Sequence, residues 1–338
     1  MSRGVKLAIV GATGAVGQEM MQILEERNLP LEELICLAAP SEVGTKLSFK
    51  GETIIVQSAD EKVFKAADIA LFAVETDISN KLAPLAQKNN CLVIDNSNAF
   101  RLAEGVPLVV PEVNARDIKD HKGIIASPNC STIIMVVAIN PIYEKYGLKR
   151  VIVSTYQAVS GAGVAGIEEL DTHIKTYQAG QKPIPKTFQH PISFNVIPHI
   201  DVFVEDDYTK EEMKMVYEAR KIMHAPELRI SATAVRVPVY RSHSEAITLD
   251  LESPATVAEV KELLANAPGI IVQDDITNNI YPMPLYASNT DEVYVGRIRT
   301  DISGDNSIAL WVAADQIRKG AATNTIQIAE EVIAKNLF

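Results

Sequence analysis

A chain of 338 residues, 47% of them hydrophobic, is longer than one ordinary core requires and points to two globular domains. The formal net charge of −11 excludes nucleic acid as a partner, since phosphate-backbone binding needs a basic face, and it makes any local cluster of arginine and lysine a candidate site for a small anion. No apolar run reaches the length of a membrane span, and Cys36, Cys91 and Cys130 lie too far apart for a zinc knuckle or a disulfide framework, so the chain reads as a soluble cytoplasmic protein.

The opening VKLAIVGATGAVGQEMMQILEERN is an apolar strand, a glycine turn and an amphipathic helix, with Val16, Met20, Ile23 and Leu24 at helical spacing. Glycines 11, 14 and 17 form G-x-x-G-x-x-G rather than G-x-G-x-x-G. The physical task is similar: a tight turn, close backbone approach to a pyrophosphate, and a helix N-terminus aimed at it. The strands LICLAA, ADIALFAV, CLVIDNS and GIIASPN then alternate with helical or loop segments, which predicts an α/β class domain with a doubly wound, largely parallel sheet. Cys36 and Cys91 fall on these strands and read as structural. DNSNAFR ends one strand and brings Arg101 to the carboxyl edge of the sheet, where such folds bind ligands; a solvated surface arginine is the alternative.

In ASPNCSTII, Pro128 and Asn129 halt a strand and a long apolar helix follows, which predicts Cys130 in the first helical turn. Backbone N–H groups and the positive dipole end there favour a thiolate, the nucleophilic form. A small buried hydrophobe is the alternative. From about residue 151 the pattern becomes strand-rich, with RVIVSTYQAVS, ISATAVRVPVY, EAITLDLES, EVYVGRIRTDIS and SIALWVAAD predicting an α+β domain with a mixed or antiparallel sheet. Within it, VSGAGVAG is a second glycine turn feeding a helix, with Gln157 just before it. YTKEEMKMVYEARKIM begins with a capping box, Thr209 and Glu212, leaving Glu211 and Lys214 on one helix face. AVRVPVYRSHSEAITL places Arg236 on a strand and His243 in the polar turn after it, open enough for a proton donor. The histidines show no metal-ligand spacing, so no metal is expected. The boundaries are drawn at 1–130 for the nucleotide-binding domain, completed by a C-terminal helix over 316–338, and 131–315 for the catalytic and dimerisation domain.

GATGAVG, DNSNAFR, SPNCST, YQAVSGAG, EEMK, RVPVYRSHSE and ADQIRKGAA occur in that order, and with them the chain resembles the bacterial aspartate-semialdehyde dehydrogenases along essentially its whole length. The resemblance implies a Rossmann-type domain and a homodimer or homotetramer. It implies NADP-dependent reduction of aspartyl phosphate to aspartate 4-semialdehyde and phosphate, in lysine, methionine and threonine biosynthesis. It implies that Cys130 is the acyl-thioester nucleophile and His243 the acid/base, that Gln157 orients the substrate, that Arg236 binds its α-carboxylate and Glu211 its amino group, and that Arg101, Asn129 and Lys214 hold the phosphate. The cofactor would be lined by Gly11, Ala12, Thr13, Gly14, Ala15, Val16, Gly17, Ser41, Ser160, Gly161, Ala162, Gly163 and Gln316.

One departure concerns the nucleotide. Where NADP-preferring members resemble LASxRS after the second strand, this chain has LAAPSEVGTK, with Ser41 in place of the arginine and Glu42 of the wrong sign for a 2′-phosphate. NADP is the first expectation, with NAD or dual use as the alternative. N-acetyl-γ-glutamyl-phosphate reductase is the runner-up, although its cysteine motif resembles NPGCY, and a catalytically silent nucleotide-binding paralogue is the reading from a different class.

Overall fold

The computed structural model describes residues 4–338, which divide into two compact units. The first takes the chain up to Asn129 together with Ala321–Phe338; the second is Cys130–Gly320.

In the first unit, strands β1 (Val5–Val10), β2 (Leu31–Ala38), β5 (Gln57–Ser58), β6 (Ile69–Phe72), β7 (Leu92–Asp95) and β8 (Ile124–Ala126) form a parallel sheet in the order β5-β2-β1-β6-β7-β8, and β3 (Lys46–Phe49) and β4 (Glu52–Ile55) form a separate hairpin. Helices α1 (Ala15–Glu26), α2 (Glu61–Ala66), α3 (Thr76–Lys88) and α4 (Pro111–Asn114) connect them. The strand sequences are apolar at consecutive positions because both faces are covered. Leu7 and Ile9 pack on one side with Met20, Ile23 and Leu24 of α1, whereas Ala8 and Val10 pack on the other with Phe64, Phe72 and Ala83. Cys36 lies on β2, but Cys91 precedes β7 rather than lying on it, its N–H bonded to the Ala86 carbonyl at the end of α3.

The second unit begins with α5 (Cys130–Tyr146), almost entirely buried. Its sheet contains β9 (Leu148–Gln157), β10 (Arg229–Arg236), β11 (His243–Leu251), β12 (Ile270–Val272), β13 (Val293–Thr300) and β14 (Ser307–Ala314), in the order β10-β9-β11-β14-β13-β12. It is mixed: β10 runs parallel to β9 and β12 to β13, and the remaining pairs are antiparallel. Helices α6 (Gly163–Gln178), α7 (Lys210–Ile222), α8 (Val257–Ala265) and α9 (Pro284–Ala287) complete the unit. The Thr209–Glu212 capping box is present at α7, with both reciprocal bonds formed. Short β12 is an element that three apolar residues did not announce.

The C-terminal segment corrects the expected helix over 316–338. A π-helical turn, Arg318–Ala322, precedes α10 (Thr323–Ala334), and residues 316–320 stay with the second unit. The reason is a set of long-range contacts: the Gln316 amide is bonded to Ser160 and Ser242, and Gly320 lies against Cys130. α10 packs on the first unit's core through Ile326, Ala329 and Val332, joined by Ala322 before it and Leu337 after it.

Candidate active site

The glycine turn of the first unit is built by two of its three glycines. Gly11 sits at φ +92°, and a Cβ there would lie 2.3 Å from the Ala73 carbonyl oxygen; a Cβ on Gly17 would lie 2.1 Å from the Gly11 carbonyl oxygen. Neither position admits a side chain. Gly14, the N-cap of α1, has an ordinary φ of −74°, and a Cβ there meets nothing nearer than 3.5 Å. No side chain caps this helix, so its first N–H groups and positive dipole end face an open turn, an arrangement that fits the pyrophosphate of a dinucleotide. Ala12 is buried and Val16 packs on the core, so these residues offer backbone rather than side chain to a ligand, while Gly14 and Ala15 are exposed. Ser41 is exposed on a short 3-10 turn, Pro40–Glu42, just beyond β2. Gly17→Ala is therefore expected to cost about 1–3 kcal/mol of stability through overpacking. Gly14→Ala is expected to leave thermal unfolding unchanged while weakening dinucleotide binding in a fluorescence titration.

Arg101 is no solvated surface residue. It is 7% exposed, its Nε donates to the Ser127 carbonyl at 3.0 Å and its Nη2 to the Asn96 carbonyl at 2.9 Å. The loop carrying it is tied to the end of β7, where Asp95 accepts from the Ser97 N–H at 3.0 Å and from its hydroxyl at 2.8 Å. Burial pushes the Asp95 carboxyl up, opposed by those Ser97 bonds and the Arg101 charge. Asn129, buried, closes the first unit immediately before α5.

In the second unit the strand register assembles the rest. Arg236 of β10 pairs with Gln157 of β9, and His243 of β11 pairs with Ala314 of β14. Tyr156 pairs with Ser244, so one step further the antiparallel register sets Gln157 opposite His243. Arg236, Gln157 and His243 thus form a row across three strands, on one face of the sheet. Cys130 opens α5 with its Sγ 3.5 Å from His243 Nε2. Gln157 Nε2 donates to Ser131 Oγ at 2.6 Å and to Glu211 Oε1 at 3.2 Å, and the Lys214 ammonium is 3.1 Å from Glu211 and 2.9 Å from Asp201. The expected helix-face couple of Glu211 and Lys214 is therefore an ion pair reaching the sheet row.

Two glycines make the closeness possible. A Cβ on Gly161 would lie 2.7 Å from Arg236 Nη1 and 3.3 Å from His243 Cε1, and one on Gly320 would lie 2.9 Å from the Cys130 Cβ. Arg236 Nη1 donates to the Ala158 carbonyl at 2.6 Å, and the Ala158 N–H donates to His243 Nδ1 at 3.0 Å. Gly163, at φ +72°, turns the chain into α6. Ala162 packs with the small cluster beneath α6, and Ser160 Oγ accepts from Gln316 Nε2 at 2.5 Å. Gln316 Oε1 in turn accepts the N–H of Ser242, a non-glycine residue at φ +72°. Such a conformation costs on the order of 1 kcal/mol and persists where neighbouring bonds fix it.

The electrostatics correct one expectation. His243 does not occupy an open polar turn: it is the first residue of β11 and fully buried, because the register carries it under α5. Burial, reinforced by the Arg236 charge, holds the imidazole well below its ordinary value of 6.5. Burial also pulls the Arg236 guanidinium down, opposed by Glu211 and Cys130. For Lys214 burial is outweighed by Glu211 and Asp201, and the ammonium is held up. The second row on the same sheet face contains Thr155 and Glu245, cross-strand partners that are wholly buried and whose side-chain oxygens find no hydrogen-bond partner. Burial pushes Glu245 well above the ordinary carboxylate range.

Ser131, Thr155, Glu245 and Gly320 were not anticipated. For Glu245 a signal existed: in HSEAITLDL the inward positions are 243, 245, 247, 249 and 251, so strand parity alone puts a carboxyl among isoleucine and leucines.

Cys36 and Cys91 are buried, and burial pushes their thiols up to about 11 and about 12, with Asp68 adding to the latter. Cys130 is partly exposed. Brief iodoacetamide treatment at neutral pH is expected to label Cys130 alone, checked by peptide mass spectrometry. Among the described residues no group of three metal-ligating side chains occurs, and no helix is long and apolar enough to cross a membrane.

The family models for the semialdehyde dehydrogenase NAD binding domain and dimerisation domain match residues 6–121 and 139–319. Aspartate-semialdehyde dehydrogenase of Aquifex aeolicus is 53% identical over 99% of this chain and 100% of its own. The crystal structure of aspartate semialdehyde dehydrogenase II from Vibrio cholerae superposes with a TM-score of 0.96 at 43% identity, covering 100% of both chains. More distant is the Candida albicans aspartate semialdehyde dehydrogenase with NADP, at a TM-score of 0.80 and 25% identity, covering 99% of this chain and 100% of that one.

Proposed function

The chain belongs to the aspartate-semialdehyde dehydrogenase family, and from that premise we propose that it reduces L-4-aspartyl phosphate to L-aspartate 4-semialdehyde, with release of phosphate, through an acyl-thioester on Cys130. The observation that carries this reading is the buried row of Arg236, Gln157 and His243 with the Cys130 sulfur 3.5 Å from the imidazole. An acyl phosphate has a good leaving group, so the thiolate displaces phosphate and leaves a thioester, which is reducible where a carboxylate is not. When bound, the nicotinamide cofactor supplies the hydride for that reduction. Arg236 meets the substrate α-carboxylate, Glu211 its ammonium, and Gln157 orients the carbonyl next to Cys130. Arg101, Asn129 and Lys214 receive the phosphate, and Arg101, Lys214 and Arg236 are the basic residues that an acidic chain needs for an anionic substrate. His243 serves as the acid/base group at the sulfur and the forming oxygen. The reaction belongs to lysine, methionine and threonine biosynthesis, and the cytoplasm, where cysteines in no disulfide stay reduced, is its place.

The cofactor is a nicotinamide dinucleotide held by the turn from Gly11 to Gly17, and by Ser41, the Ser160–Gly163 turn and Gln316. NADP is our choice, and Ser41 and Glu42 are its test. Steady-state oxidation of aspartate semialdehyde in phosphate is expected to give a higher kcat/KM with NADP than with NAD; equal values would remove the NADP preference. We also place a second copy of the chain on the outer face of the second sheet. Ile152 and Tyr156 are exposed there, Tyr156 lies against Trp311 at 5.3 Å, and a pocket of about 320 Å³ lined by Ala246, Tyr281 and Trp311 opens beside them. No observation favours the glutamyl-phosphate relative or a silent paralogue.

A further inference from the structure

We propose that Phe188 is a positioning residue for the substrate: its ring backs the Arg236 guanidinium and fixes the edge that this group presents to the substrate α-carboxylate, and Glu169 on α6 holds Phe188 in place. This deepens the role of Arg236 in substrate binding and rests on that reading.

Arg236 needs such a partner. The residue is 6% exposed, and among the described residues its guanidinium makes one hydrogen bond, from Nη1 to the Ala158 carbonyl at 2.6 Å, and no ion pair. A single bond leaves a planar cation free to swing about it. The Arg236 Cζ lies over the Phe188 ring, 5.8 Å from its centroid, and an aromatic face attracts a cation most strongly where both are desolvated. Phe188 is itself buried, so water does not compete for that face. The ring supplies the second constraint that the single hydrogen bond lacks.

The ring is held from α6. Glu169 and His173 lie one turn apart on that helix, both buried and on one face. The Glu169 carboxylate accepts from the N–H groups of Lys186 at 3.1 Å, of Thr187, and of Phe188 itself at 3.4 Å. His173 Nδ1 accepts the Ile192 N–H at 3.3 Å, and Nε2, which then carries the ring proton, donates to the Ile184 carbonyl at 3.1 Å. Residues 184–192 have no helix or strand of their own, so these bonds satisfy their backbone and fix its path. Further along, Ile197 exchanges two backbone hydrogen bonds with Arg236, at 2.9 and 2.8 Å. The segment thus meets Arg236 twice, by backbone at Ile197 and by ring at Phe188.

Packing and charge keep the ring where it is. Phe188 sits with Val159, Leu170, Ile192 and Ile197 in the apolar cluster beneath α6, and a Cβ on Gly166 would lie 3.2 Å from its Cζ. Burial would raise the Glu169 carboxyl, but the N–H groups of Thr187, Lys186 and Phe188 outweigh it and hold the carboxyl below its ordinary value of 4.5. Glu169 is therefore an anion at neutral pH, the form that accepts all three. A leucine at 188 would fill the cluster without offering an aromatic face, and a glutamine at 169 would turn a donor toward N–H groups. The α-carboxylate is remote from the reacting carbon and is bound alike before and during reaction, so lost positioning acts on binding rather than on chemistry.

Steady-state oxidation of aspartate semialdehyde at saturating nucleotide and phosphate compares wild type with Phe188→Leu and Leu170→Val. Phe188→Leu is expected to raise the KM for the semialdehyde about tenfold, the scale of a desolvated cation–π contact, with kcat within about threefold. Leu170→Val trims the same cluster and keeps the ring, and is expected to move neither constant. An unchanged semialdehyde KM in Phe188→Leu, a loss confined to kcat, or an equal KM rise in Leu170→Val overturns the proposal. Should Phe188→Leu fail to fold, Glu169→Gln, which leaves every apolar group in place, is expected to raise the same KM, and an unchanged value there overturns it equally. A second readout needs no turnover. In protein labelled with 15N-arginine, the Nη signals that disappear in Arg236→Lys are expected to be distinct in wild type, because rotation is hindered, and to merge in Phe188→Leu. Merged signals in wild type, or distinct ones in both, would refute the positioning role. The expected signals in a protein without semialdehyde activity would sink the functional reading and leave the positioning of Arg236 standing.

Discussion

Cys130→Ser is expected to reduce phosphate-dependent semialdehyde oxidation by on the order of 10⁴-fold or more, the scale on which loss of a covalent nucleophile acts. Dinucleotide binding is expected to survive, because the turn from Gly11 to Gly17 belongs to a separate unit and contains none of the sulfur's neighbours. A serine hydroxyl at the start of α5 keeps its proton where a thiol ionises, and is the far weaker nucleophile. His243 Nδ1 accepts from the Ala158 N–H, so Nε2 is the ring nitrogen that faces the side chain at position 130. Activity within tenfold of wild type would remove the thioester from the mechanism. The paired measurement, a nucleotide titration of the same variant, separates loss of chemistry from loss of fold.

The second large effect is on stability and comes from Glu245. Its ordinary value is 4.5, and burial holds the folded-state value well above that. Below pH 4.5 the carboxyl is protonated in both states, and wild type and Glu245→Gln differ by a constant. As pH rises beyond it, the unfolded chain releases a proton that the folded chain retains. Wild type therefore loses stability relative to the amide variant at about 1.4 kcal/mol per pH unit until the folded-state value is reached. His243 has the opposite sign, since its folded value lies well below 6.5 and its contribution is lost as pH falls, but it is present in both proteins and cancels. Denaturant unfolding of the two proteins over a pH series reads the difference directly. Parallel stability profiles would mean that Glu245 ionises in the folded protein.

Much of this was legible in the chain because the decisive signals are local. Strand, glycine turn and helix are adjacent between residues 5 and 26, so the dinucleotide fold and the residues of its turn follow from spacing. Cys130 at a helix start follows from Pro128 and Asn129 ahead of an apolar run. What was not legible depends on register between strands far apart in sequence. His243 reads as a turn residue because Ser242 and Ser244 flank it; only the pairing of β11 with β9 and β14 carries it beneath α5. The same register sets Thr155 beside Glu245. The split of the C-terminal segment at Gly320 escapes sequence reading for a related reason: its cause is the lack of a Cβ facing Cys130, a long-range contact that the apparently helical run through ADQIRKGAA conceals.

The most direct measurement is a rapid-mixing experiment on the wild-type protein with aspartate semialdehyde and NADP in the absence of phosphate, followed by mass spectrometry of the quenched chain. The thioester account predicts a burst of one reduced nucleotide per subunit, then a stall, with an aspartyl adduct on the Cys130 peptide that phosphate discharges. Sustained turnover without phosphate, or a burst with the adduct elsewhere, would contradict it.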